Sequence, residues 1–145
     1  VFNFTVDRAG SHQIMEYRES SYVPWGESQE EVLEDEEDHY NNGVENLKQF
    51  AKDPAQLAAF QVVYDRVMPN ALKRAFGRLE GADNDFCLEH GLKRNTTEAI
   101  VNRYLTEMRS HMDGTGLMFP PMSAFEAIKC ELADSTREIL MSLQR

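Results

Sequence analysis

The chain has 145 residues, with 15 Lys and Arg against 25 Asp and Glu, a formal net charge of −10. Duplex nucleic acid and anionic membrane surfaces are held largely by Lys and Arg on phosphates, so both are disfavoured as partners of the chain as a whole. Two cysteines are too few for a disulfide-dense scaffold or a four-thiolate zinc site, and 41% hydrophobic residues at this length suit one domain with one core.

Residues 1–6 (VFNFTV) alternate apolar and polar, the period of a strand. Asp7-Arg8-Ala9-Gly10 then reads as a turn and residues 12–17 as a second strand, which predicts a short N-terminal β-hairpin. Such a hairpin is marginal alone. It has to pack on the helices or pair with strands outside this chain. A chain that opens at Val1, inside a strand, therefore reads as a piece of a larger polypeptide. Residues 20–26 form a loop with the single Trp, Trp25. No basic stretch precedes an apolar one as in a signal peptide. The longest apolar run, near residues 57–64, falls far short of the roughly 18 residues of a membrane span. A soluble domain is expected, with its compartment open.

From Ser28 the texture changes. Four segments open with a capping-box pattern: Ser28 with Glu31, Asp53 with Gln56, Asn95 with Glu98, and Ser123 with Glu126. Pro54 suits a first helical position. Apolar stripes at three- and four-residue steps follow: Leu57, Phe60, Tyr64 and Val67; Val101, Tyr104, Leu105, Met108 and Met112; Phe125, Ile128, Leu132, Ile139 and Leu143. A split at Asn41-Asn42-Gly43 and a break at Met68-Pro69-Asn70 are expected, with C-terminal stops at Gly81 and Gly91. Residues 113–121 read as a loop. The expectation is one domain over residues 1–145, mainly α. Residues 1–26 give the hairpin and loop, and 27–145 a compact bundle of about five to six helices.

The chemistry is sparse. Residues 27–38 hold eight carboxylates and no cation, leaving 17 carboxylates against 15 cations elsewhere. The charge is thus concentrated in one segment. Glu30, Glu31, Glu34, Asp35, Glu37 and Asp38 offer a face for a basic protein partner or for self-association. The alternative is a solvated helix face with its acids favouring the helix dipole. An EF-hand aligned on Gly43 puts Tyr40 and Gln49 at ligand positions, and fails. Glu36 and His39 have the Glu-x-x-His spacing of metal-binding bundles, without a second copy. Cys87 and His90 suggest a thiolate pair, though residues three apart rarely form a catalytic pair. Cys87 and Cys130 are either one disulfide or two thiols. Lys73, Arg74 and Arg78, with Lys93 and Arg94, form the one basic cluster. Met118 and Phe119, in a Met/Phe/Pro loop, offer an apolar docking patch. Neither a complete catalytic set nor a cofactor motif is present in the sequence.

The preferred reading is a non-enzymatic protein–protein interaction or assembly domain, docking through the acidic helix, the Met/Phe/Pro loop, or both. One alternative is a small enzyme or metal-dependent protein using Cys87 and His90, or Glu36 and His39. Another is a secreted helical signalling or ligand-binding protein. Residues 124–140 (AFEAIKCELADSTREIL) resemble the last helix of helical cytokines. The strand-like start and two cysteines depart from that pattern, and no residue role is carried over.

Overall fold

The computed structural model describes residues 1–142, and every described element is helical. A π-helical turn, Asn3–Asp7, runs directly into α1, Arg8–Arg18. The expected hairpin is therefore not formed. Phe4 and Thr5 show why. They are adjacent and both fully buried, whereas a strand sends neighbours to opposite faces. The helical wrap buries both and keeps their polar groups bonded. The Thr5 amide and hydroxyl both donate to the Val1 carbonyl, at 3.1 and 2.9 Å. The Tyr104 hydroxyl donates to the Thr5 carbonyl at 3.1 Å. Phe4 lies against Tyr40 and Tyr64, with ring centroids 6.1 and 6.3 Å away.

Part of the loop expected at 20–26 forms a short helix, α2 (Val23–Glu27), and α3 (Gln29–Phe50) follows. The split at Asn41-Asn42-Gly43 does not occur. Gly43 instead lets α3 pass close to the π turn: a Cβ there would sit 2.7 Å from the Phe4 amide nitrogen. Helix α4 (Pro54–Phe76) continues through Pro69. Phe60, Tyr64, Met68 and Leu72 are buried along it on both sides of the proline. That packing overrides the cost of the missing N–H. Gly77, at φ 67°, follows the end of α4. Gly91, also at φ 67°, follows the end of α5 (Ala82–Glu89), while Gly81 opens α5 instead of closing α4.

Of the four expected caps, Asp53 forms as read, accepting from the Ala55 amide at 2.9 Å. Helix α6 (Thr97–Met112) is capped one residue later than expected, by Thr96, which accepts from Ala99 at 3.2 Å. Ser28 donates its hydroxyl to the Trp25 carbonyl, and Ser123 lies inside α7 (Met122–Ala127). The expected long last helix is two: α7, then α8 (Asp134–Met141) after a turn with Lys129 at φ 53°. That turn brings Cys130 and Leu132 into the core between them. Leu143, the end of the expected stripe, lies outside the described residues. Asn102 ties α6 to α8 through Ser135 and Thr136, both at 2.7 Å. The α6 stripe of Val101, Tyr104, Leu105, Met108 and Met112 is buried as read.

Candidate functional site

The strongest electrostatic feature joins α1, α3 and α6. Arg8, 7% exposed, lies with its guanidinium carbon 4.4 Å from the Tyr40 ring centroid. It donates to Glu37 at 2.8 Å and, through Nε, to Glu107 at 3.0 Å. His12 Nε2 is 2.6 Å from Glu107 Oε2, and Arg103 Nε is 3.1 Å from His12 Nδ1. Arg103 has no acceptor, so Nδ1 is the unprotonated nitrogen and Nε2–H donates to Glu107. Burial dominates at His12 and lowers its pKa, keeping the ring neutral. Burial alone would raise the Glu107 carboxyl. The hydrogen bonds from His12 and Arg8 and the Arg8 charge outweigh it and hold the group at about 2. Glu16, also buried, accepts from Asn95 and Arg103. Both His12 nitrogens are thus engaged, leaving neither for proton transfer to an outside molecule. The network holds helices together. Its residues 8, 12 and 16 follow the four-residue step of a helix. The strand expectation hid that signal by dividing them between a turn and a strand.

An open apolar groove of about 670 Å³ lies between the N-terminal segment and α4. Phe2, Val6 and Gly10 form one wall, spaced by four. Val62, Val63, Val67 and Ala71 form the other, with Arg66 and Arg74 among the lining residues. Phe2, Val62 and Val63 are exposed large hydrophobics. Volumes of this size are typical of ligand and peptide grooves. The groove was hidden in the sequence because the strand reading placed Phe2 and Val6 in a sheet.

The acidic residues of α3 are distributed as expected of a surface. Glu30, Glu31, Glu34, Asp35, Glu37 and Asp38 are all exposed. Only Glu37 among these six has an ion-pair partner among the described residues, Arg8. The basic cluster, by contrast, is dispersed. Lys73 donates to the Ile128 carbonyl, Arg74 lines the groove, and Arg78 lines a separate cavity with Lys129 and Arg137. Lys93 is buried, donating to Asn84 at 2.6 Å, and Arg94 pairs with Glu19 at 2.8 Å. The Met/Phe/Pro loop divides: Met118 is 45% exposed, while Phe119 is in the core at 2%.

Glu36 and His39 come together with Asp7 from the π turn. Each offers one ligand atom, and these atoms lie within 4.8 Å of one another. Glu36 Oε2 is buried without a hydrogen-bond partner among the described residues. Burial first, and the Asp7 charge next, raise the Glu36 pKa. A raised carboxyl favours folding when protonated, and that stability is lost as pH rises through its folded pKa. Glu36→Gln is therefore expected to raise the melting temperature at neutral pH, with the gap closing in acid, as thermal melts across pH would show. Cys87 and His90 are not assembled as a pair. The His90 ring stacks on Phe86 at 4.0 Å and its Nδ1 lies 3.0 Å from the Phe86 carbonyl oxygen. Cys87 and Cys130 are both free thiols. No helix of the described residues is long and apolar enough to cross a membrane.

Comparisons with protein-family models, with curated proteins and with solved structures found no match to this chain.

Proposed function

We propose that this chain is a helical protein–protein interaction domain that docks through the acidic outer face of α3. One observation carries the reading: Glu30, Glu31, Glu34, Asp35 and Asp38 are exposed and have no ion-pair partner among the described residues. No cation among the described residues forms an ion pair with these five: Arg8 and Arg103 serve the buried network, and Arg66 and Arg74 line the groove. Five like charges along nine residues repel one another by a few tenths of a kcal/mol per i, i+4 pair. A complementary surface relieves that repulsion and gives salt-sensitive, steered association.

The test is binding of a Lys- and Arg-rich helical peptide, followed by fluorescence anisotropy at low and high salt. Reversing those five carboxylates to Lys is expected to abolish binding and its salt dependence. A control reverses five exposed carboxylates elsewhere: Glu80, Asp83, Asp85, Glu89 and Glu126. Equal loss in both variants would mean that only net charge is being read, and would sink the proposal.

A metal-dependent reading is favoured by the buried Glu36 Oε2, which has no hydrogen-bond partner among the described residues and lies 3.9 Å from His39 Nδ1, with Asp7 beside them. Carboxylates and imidazole together suit a first-row divalent ion. If it holds, Zn²⁺ raises the melting temperature of the wild type and leaves Glu36→Gln unmoved. Zn²⁺ moving neither, or both equally, removes it.

A further inference from the structure

We infer that the partner of the acidic α3 face is the apolar groove of a second copy of this chain. The inference rests on the interaction reading above and names its occupant. Two surfaces of one chain are complementary in both hydrophobicity and charge. The groove exposes Phe2, Val62 and Val63 and is lined by Arg66 and Arg74, with no carboxylate among its lining residues. The second surface lies where α2 meets α3. Tyr22, Val23, Trp25 and Val32 are all exposed there. Gln29 donates to the Trp25 carbonyl at 3.2 Å and holds α2 against the start of α3.

The charges match in spacing. Arg66 and Arg74 are eight residues apart on one helix, about 12 Å at 1.5 Å per residue. Glu31, Asp35 and Asp38 fall at i, i+4 and i+7 on one side of α3, about a quarter turn from Val32, spanning about 10 Å. Two guanidinium groups therefore meet a carboxylate row of similar length, with apolar side chains beside it on each partner. Gly10 and Ala71 keep the groove low between its walls. A Cβ added at Gly10 meets nothing within 4 Å, which leaves room for an entering side chain. The two surfaces share no residue. The contact thus joins unlike patches, either reciprocally in a two-fold dimer or head to tail in a longer assembly.

Sedimentation velocity over a range of concentrations and salt tests this. The wild type is expected to self-associate, more weakly at high salt. Arg66→Glu with Arg74→Glu, and separately Glu31→Lys with Asp35→Lys and Asp38→Lys, are each expected to weaken association at least tenfold. All of these side chains are exposed, and unchanged circular dichroism melts confirm that the variants fold. Mixing the two variants, or combining all five changes in one chain, restores association because the swapped charges match again. Val62→Glu is an independent groove variant expected to weaken association without touching the arginines. A wild type that stays monomeric while still binding the basic peptide overturns this inference and leaves the interaction reading standing. So does association that survives Arg66→Glu with Arg74→Glu. Self-association without peptide binding supports the groove and counts against a general affinity of the α3 face for basic helices.

Discussion

Glu107→Ala is expected to destabilise the fold by about 3–5 kcal/mol, the usual range for removing one partner of a buried ion pair. The cause is what it leaves behind. Arg8 keeps its charge at every accessible pH, is nearly inaccessible to water, and retains only the exposed Glu37 and the face of Tyr40. His12 loses the acceptor of its Nε2–H at the same time. Urea denaturation measures the loss. Replacing both charges, Arg8→Met with Glu107→Leu, is expected to recover part of it, because an apolar pair strands no charge. A double variant as unstable as the sum of the singles would show that Arg8 and Glu107 do not act as a pair. The same network sets the acid limit. The Glu107 pKa falls from the ordinary 4.5 to about 2 on folding. It therefore contributes on the order of 3 kcal/mol above pH 4.5, lost as pH falls towards 2. His12, also lowered on folding, adds a loss that begins as pH falls through 6.5. Glu107→Gln removes the first of these two slopes and enlarges the second, since the Glu107 charge that favours a protonated His12 is then gone.

Gly43→Ala is the second large effect, and its sign runs against helix propensity. In an unobstructed helix interior this change gains up to about 1 kcal/mol. Here the new methyl meets backbone on the facing segment, 2.7 Å from the Phe4 nitrogen and 3.1 Å from the Asn3 carbonyl carbon. Backbone cannot rotate aside as a long side chain does. The π turn and α3 must separate, which also loosens the stacking of Phe4 on Tyr40. A net loss of about 1–3 kcal/mol is expected, the usual range for overpacking. Gly10→Ala is the contrast, with open space around its Cβ and a helical backbone. It is expected to gain about 0.4–1 kcal/mol. Thermal melts of the two variants side by side check both signs, and a stabilised Gly43→Ala would refute the close approach.

How much was legible depended on range. The α6 stripe and the Asp53 cap are local patterns, and the structure keeps them. The N-terminal segment failed because alternation over six residues is short enough to fit two periods. Its choice was made by partners far along the chain: Gly43, Tyr64 and Tyr104. Pro69 and Asn41-Asn42-Gly43 failed in the opposite direction. Strong local stop signals were overruled by continuous burial along one helix face. The acidic surface was legible because exposure needs no partner. The Arg8–Glu107 pair was not, since nothing in a single sequence couples positions 99 residues apart.

That separation has a consequence for the order of synthesis. The π turn and α1 leave the ribosome well before their compensating groups, Tyr104 and Glu107, each 99 residues further along the chain than its partner. Until then Arg8 has only Glu37 and the face of Tyr40, and the Thr5 carbonyl lacks the Tyr104 hydroxyl. The π turn and α1 thus stay open to water until α6 is made. Closure of such distant contacts slows folding. A nascent chain arrested before α6 is expected to be cut readily by protease within the π turn and α1, and one arrested after α6 has cleared the exit tunnel to resist there.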